Sequence, residues 1–515
     1  MALRQLPPGG LPRLTFEARR QPGPAPLRTD IALFVGAATR GPVGTPVRID
    51  GMPAYSEVFG GLSPDSVMGH AVHAYFENGG RLAWVVRIAP STQPAQANWP
   101  VEDAGYVPAA LPLDAFDITA ASPGRWGDGL SVLPTYRRSD EGTEILDLDI
   151  TLDGALTERL TGLNPSTLIE TVNSRSNMIR IAHAPGAMPP APFVAGSPRR
   201  RTWAPVMLGG GSDGVLPVQA DYEALMPMMM ELVEPALLVF PDLHQHLDQN
   251  AAAAVILSAA RLADRQLDRM VVADAPETLE TAGDARDWIA RLGNDPAVHR
   301  TVSTYHPWID MSDPIGTLNS PLRRMPPSGH VAGAISRMDR DVGAYITPAI
   351  TALNEAGELS RRPKPLDVDA LSTLGLNALR CQSARGIVIW GGRMLRSDDA
   401  APQFVAHRRL IHRLVRGLRQ VWAPRVFDPN DITLRMAVAR SAITLLMEAF
   451  HANVLKGTRP EEAFVVNVDE TLNTPAVIAA GRLICEIAIA PAIPMEFIHF
   501  RIGMNPDGNV EMITP

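Results

Sequence analysis

Short apolar runs alternating with longer helical stretches constrain this chain more than any other feature. Ile31-Ala32-Leu33-Phe34-Val35 stops at Gly36, and Leu82 to Ile88, Ala236 to Phe240 and Met270 to Ala273 are runs of the same kind. Runs of roughly four to eight mostly apolar residues bounded by turn residues or charge suit strands buried on both faces. Helical patterns lie between them at Pro64 to Asn78, near Leu225 to Leu232 and at Asn250 to Gln266. Alternation of this type predicts an open α/β sheet.

A chain of 515 residues exceeds the size at which one hydrophobic core keeps growing, so several domains are expected. Proline-bearing stretches mark the divisions. Residues 1–30 hold six prolines around one strand-like piece, Leu14-Thr15-Phe16-Glu17, and bury too little apolar area to fold alone, so they read as an extended arm. An α/β segment follows over 31–112, ending in a Pro, Ala, Gln and Gly-rich crossing after Pro90. A middle region spans 113–362, and the polar, proline-bearing Ser360 to Pro365 opens the last, 363–515.

That last region has the clearest periodicity. Leu410, Ile411, Leu414, Val415 and Leu418 repeat at helical spacing, while Arg409, His412, Arg413, Arg416 and Arg419 fall on the other side. A second long helix from Ile432 to Leu455 and strands at Ala463 to Val468, Leu483 to Ala490 and Glu496 to Ile502 predict an α+β domain. The arginine face is either a solvated surface or a docking surface for an acidic partner.

Composition excludes several classes. A net charge of -8 gives no support for a nucleic-acid coat, which needs excess Lys and Arg to displace phosphate counterions. Cys381 and Cys485 are the only cysteines, too few for a disulfide framework or a cysteine-rich zinc site. No run is long and apolar enough to predict membrane insertion, and Met1 to Gly10 lacks the apolar stretch of a secretion signal. Folding in the cytosol is the expectation.

The residue types of catalysis and ligand binding are present without their contexts. Gly209 to Gly214 matches the spacing Gly-x-Gly-x-x-Gly, but Pro217 and more coil separate it from the next helix, whereas a dinucleotide site needs a helix opening at the loop. His70 with His73, and His244 with His246, offer paired imidazoles and no evident third ligand. The spacing Gly-x-Ser-x-Gly occurs at Gly210-Gly211-Ser212-Asp213-Gly214, but coil follows it where a nucleophile elbow needs a helix; Ser328-Gly329-His330 is the most suggestive group and suits a turn entering a packed segment. Met226 and Met228 to Met230 read as core filling. No catalytic residue, cofactor or metal is assigned.

A series of motifs opens with Phe34-Val35-Gly36, Arg40-Gly41-Pro42-Val43-Gly44, Tyr75-Phe76-Glu77-Asn78-Gly79-Gly80 and Ser122-Pro123-Gly124-Arg125-Trp126-Gly127-Asp128-Gly129. It continues through Asn173-Ser174-Arg175-Ser176-Asn177, the Gly209 loop, Tyr305-His306-Pro307-Trp308, Ser328-Gly329-His330, Gly386 to Arg393, Phe427-Asp428-Pro429-Asn430-Asp431, Asp469 to Asn473 and Glu496 to Ile502. The order of these motifs resembles the contractile tail sheath proteins of phages and bacterial contractile injection systems.

What the resemblance implies is a structural subunit that is not an enzyme. The opening segment would pack with a C-terminal α+β assembly domain near an inner tube, and the middle α/β domain would have a subtilisin-like fold, which confers no chemistry by itself. Terminal arms, with Leu14, Thr15, Phe16 and Glu17 at one end and Phe497, Ile498, Phe500 and Ile502 at the other, would add strands to neighbouring subunits. Arg409, Arg413, Arg416 and Arg419 would face the inner tube. The implied partners are further copies in stacked hexameric rings, the tube protein, and baseplate and tail-terminator proteins. Assembly is expected in the cytoplasm of the producing cell, with release by lysis as part of a particle. A hydrolase of subtilisin-like fold and a passive, non-contractile shell protein are the competing readings.

Overall fold

The computed structural model describes residues 28–99, 116–138, 144–164, 167–183, 200–202, 205–317, 320–361, 365–397, 403–425, 428–491, 498–504 and 510–513. It is a mixed α/β protein of several sheets. The predicted apolar runs form four strands, β1 (Ala32–Gly36), β3 (Ala83–Arg87), β4 (Leu237–Val239) and β5 (Met270–Asp274), and the structure adds β2 (Val47–Ile49) and β6 (Val302–His306). With β7 (Leu376–Gln382) and β8 (Gly386–Trp390) they make one eight-stranded sheet of order β8-β7-β6-β5-β4-β1-β3-β2. Pairing is parallel from β7 to β3, with β8 and β2 antiparallel at the two edges.

Both faces of this sheet are covered, which is why its strands are apolar throughout. Successive side chains point to opposite sides. Leu33, Val35, Leu238, Val271 and Val302 enter one core, together with the alanine-rich face of a helix, Gln249–Gln266. Phe34, Val85, Val239, Val272 and Tyr305 enter the other, beneath α1 (Val67–Glu77) and α2 (Ser328–Asp341). The predicted helix starting at Pro64 therefore begins three residues later.

Between β3 and β4 lies an inserted β unit with its own core. Leu130–Arg138, Glu144–Leu152 and Ala155–Leu163 form an antiparallel meander, joined by Arg200–Thr202 and Val206–Met207. Gln96–Trp99, Phe116–Ala120 and Ile179–His183 form a second small sheet. Ile118, Leu130, Leu148, Ile150 and Val172 pack between them.

The last unit starts at α3 (Val405–Trp422), followed by α4 (Ile432–His451). The aspartate ending Phe427-Asp428-Pro429-Asn430-Asp431 is the N-cap of α4, accepting a bond from the Leu434 N–H at 2.8 Å. Strands β9 (Phe464–Asn467), β10 (Leu483–Ile489), β11 (Ile498–Met504) and β12 (Val510–Ile513) form an antiparallel sheet in that order. Leu410, Leu414, Leu418, Val438, Leu446 and Ile487 share its core.

Two expected boundaries do not match this pairing. The central sheet crosses both 112 and 362: β1 pairs with β4, and β7 pairs with β6. Residues 31–112 are thus not a unit apart from the middle region, and 376–390 belong to the sheet rather than to the C-terminal unit. A parallel strand needs a crossover of about a dozen residues or more and tolerates a much longer one, so the proline-rich crossing after Pro90 marks an insertion within a domain.

Candidate assembly surfaces and the joints that position them

Two arginine-centred joints hold the three units together. At the first, Arg87 at the end of β3 is 1% exposed. Its guanidinium donates to the carbonyls of Gly41 at 3.0 Å and Pro123 at 2.7 Å, and the Gly41 N–H donates to Ser122 Oγ at 2.8 Å. Arg40-Gly41-Pro42 and Ser122-Pro123-Gly124, which are far apart in sequence, thus meet across the root of the inserted unit. Burial pushes the Arg87 pKa down to about 10, which leaves it charged at neutral pH.

The second joint is the arginine face of α3. Arg409 donates to an Asp339 carboxylate oxygen at 2.5 Å, with both side chains almost wholly shielded. Arg419 pairs with Asp268 at 2.8 Å and donates to the Gln266 carbonyl at 2.6 Å. Arg416 donates to four carbonyls, those of Arg28, Glu234, Pro235 and Asp268, at 2.7 to 3.2 Å. Although burial works the other way, Arg269, Arg416 and Arg419 hold the Asp268 carboxyl below its ordinary value.

The expectation of one outward-facing row therefore fails for Arg409, Arg416 and Arg419, which bind this chain's own body. Of the four, Arg413 is exposed. The helical period separates charged from apolar positions, but it cannot say whether the charged side meets water or distant carboxylates. Apolar exposure falls instead on α4, where Ile432, Met436 and Ile443 are 64%, 58% and 41% exposed. Single exposed apolar residues are ordinary; three along one helix mark a candidate contact face.

Of the expected arm residues, Leu14, Thr15, Phe16, Glu17 and Phe497 lie outside the described residues. Ile498, Phe500 and Ile502 lie on β11, opposite Ile489, Ile487 and Cys485 of β10 in the same chain. The outer strands β9 and β12 are the edges of that sheet. An edge strand carries unpaired N–H and C=O groups and is a template for another strand. Asn473 secures the middle of the sheet, with its side-chain amide bonded to both the N–H and the carbonyl of Ile484 at 2.8 and 2.9 Å.

Most of the groups suggestive of chemistry have structural partners. In the Gly209 loop, the Gly211 N–H binds Asp128 at 2.7 Å, and Ser212 pairs with Gln93. His70 faces Asp313 at 3.3 Å, His73 faces Glu355 at 2.9 Å, His244 meets the Asp274 carbonyl at 2.8 Å and His246 meets the Tyr222 hydroxyl at 2.9 Å. Ser328 and His330 are buried in the first turn of α2 and do not bond each other; the Ser328 N–H donates to Asp274 at 2.9 Å. Among the described residues no three His, Cys, Asp or Glu side chains gather as a metal site, and no helix is long and apolar enough to cross a membrane.

The architecture just described is similar in fold to that of solved tail sheath proteins. A sheath tail protein of Listeria innocua superposes with a TM-score of 0.65 at 11% identity, covering 93% of this chain and 95% of that one. A sheath tail protein of Desulfitobacterium hafniense gives 0.60 at 14%, covering 96% and 100%. The contracted helical sheath of the anti-feeding prophage gives 0.55 at 19%, covering 95% and 98%. At these identities the likeness is one of fold. In sequence, the tail sheath protein of Vibrio phage KVP40 is 26% identical over 184 residues, 34% of this chain. The match spans only 26% of that curated relative's length. The chain matches no protein-family profile.

Proposed function

We propose that this chain is the repeating subunit of a contractile tail sheath, polymerising as a helical cylinder around an inner tube and shortening to drive that tube through a target envelope. The observation that carries the reading is the likeness of nearly the whole chain, all units included, to sheath subunits, one of them in a contracted sheath. It acts by assembly rather than by turnover. Copies stack in hexameric rings, and the tube protein, baseplate and tail terminator are its other partners. The open edges of the β9–β12 sheet suit strand addition between neighbours, with the terminal arms supplying the added strands. Contacts of this head-to-tail type do not close on themselves and so propagate a helix.

On this reading Arg413 is the member of the α3 arginine face free to meet an acidic tube. The cylinder assembles in the cytoplasm of the producing cell and leaves with its particle on lysis. The test is electron microscopy of the purified full chain, alone and with its tube protein, over a range of salt and concentration. Hollow cylinders of two lengths and widths are expected. Monodisperse monomers under every condition would overturn the proposal, and cylinders of one fixed length would favour a passive shell.

A further inference from the structure

Four consecutive carbonyls at the lead-in to β1 are each taken by a donor from elsewhere in the fold. Arg28 O accepts from Arg416 at 2.7 Å, and Thr29 O accepts from Arg409 at 3.2 Å. Asp30 O accepts from the Tyr75 hydroxyl at 2.9 Å, and Ile31 O accepts from the N–H groups of Ala236 and Leu237 at 2.8 and 3.2 Å. The donors come from α3, from α1 and from the start of β4. Thr29 and Asp30 are 3% and 7% exposed, so water does not compete for these bonds.

These donors belong to different bodies. Tyr75 is part of the central sheet's core, whereas the apolar side of α3 is part of the C-terminal core. Arg416 bridges them most fully, because one guanidinium binds segments at 28, 234–235 and 268. A planar fork of five donors suits that task; a lysine ammonium, with three donors at one point, does not. The lead-in is therefore clamped between the sheet and the helix that carries the last unit.

We infer that Arg409 and Arg416 make residues 28–30 and α3 one coupled latch, in which neither leaves its seat without loosening the other. Coupling of this kind is reciprocal by thermodynamic necessity. Tension on the chain before Arg28 then reaches the C-terminal unit through two guanidinium groups instead of peeling β1 from its sheet. That consequence rests on the sheath reading, in which the N-terminal arm links subunits. The coupling itself is a property of the single subunit.

Hydrogen exchange on the full-length subunit tests it from both ends. In Arg416→Met, segments 28–36 and 405–422 should both exchange about tenfold or more faster, the effect of losing a charge-assisted hydrogen bond. Arg416→Lys should fall between that variant and the parent, and Arg413→Met, on the same helix, should match the parent. Tyr75→Phe removes the hydroxyl's bonds to the Asp30 and Leu82 carbonyls, neither of them on α3, yet exchange over 405–422 should rise several-fold. An Arg416→Met that loosens α3 alone, or a Tyr75→Phe that leaves α3 unchanged, would overturn the latch. Should Arg416→Met fail to fold, Arg416→Lys and Tyr75→Phe decide the matter. A parent chain that never forms cylinders, with both exchange effects present in the variants, would count against the sheath reading and leave the latch standing.

Discussion

Arg409 and Asp339 form an ion pair of 2.5 Å between α3 and the end of α2, with their side chains 2% and 4% exposed. Stripping water from two charges offsets much of their attraction, so the pair as a whole adds little to stability. Removing one partner is a different matter, because the other is left buried and unpaired. Asp339→Ala and Arg409→Met should each cost about 3–5 kcal/mol, and the double variant should cost well under the sum. Urea denaturation of the four proteins measures this. Additive losses would mean that the two groups do not sense each other.

Helices α1 and α2 touch through glycines of α2. A Cβ at Gly329 would meet the Ala71 carbonyl oxygen, and one at Gly333 would meet the Tyr75 carbonyl oxygen, each closer than Cβ atoms approach. Alanine raises helix propensity by about 1 kcal/mol over glycine, which alone would stabilise α2. Overpacking against rigid backbone wins, and Gly333→Ala should lose about 1–3 kcal/mol net. Thermal denaturation checks the sign; a raised midpoint would show that the helices can part without penalty.

Burial pushes the Asp274 carboxyl up to about 7, against the opposing bond from the Ser328 N–H. An unfolded aspartate titrates near 3.9, so the folded chain holds this proton more tightly. The stability contributed by that proton is fully present below about 4 and is lost as pH rises through about 7. Asp274→Asn keeps an acceptor for Ser328 and stays neutral. Its stability relative to the parent should therefore improve from pH 4 to pH 8, by about 4 kcal/mol at most. Urea midpoints across that range test it, and a constant difference would refute it.

Arg87 fastens the inserted unit by its bonds to Gly41 and Pro123. Arg87→Met leaves those carbonyls without their donor, at a cost of about 1–3 kcal/mol. The inserted core and the central sheet have separate apolar clusters, so both should stay folded while the joint opens. Limited proteolysis should then cut near the crossings around residues 90 and 215 faster than in the parent. Accelerated cutting inside β1 or β5 instead would mean that Arg87 supports the sheet itself.

What the sequence determined by itself was local. The apolar runs of β1, β3, β4 and β5 declared themselves because a strand covered on both faces has no polar positions, and α3 declared itself by its 3.6-residue period. The start of α4 at Ile432 was also readable, and the Asp431 cap that the structure shows there acts within one turn. The tertiary structure alone decided everything that needs a partner far along the chain. Arg409 finds Asp339 70 residues away and Arg419 finds Asp268 151 residues away, which turned an expected outer surface into an inner joint. Pairing of β1 with β4 across more than two hundred residues makes one sheet of segments that lie on either side of a proline-rich stretch. Periodicity reports which side of an element is polar; only the folded chain brings distant charges together and fixes what that side meets.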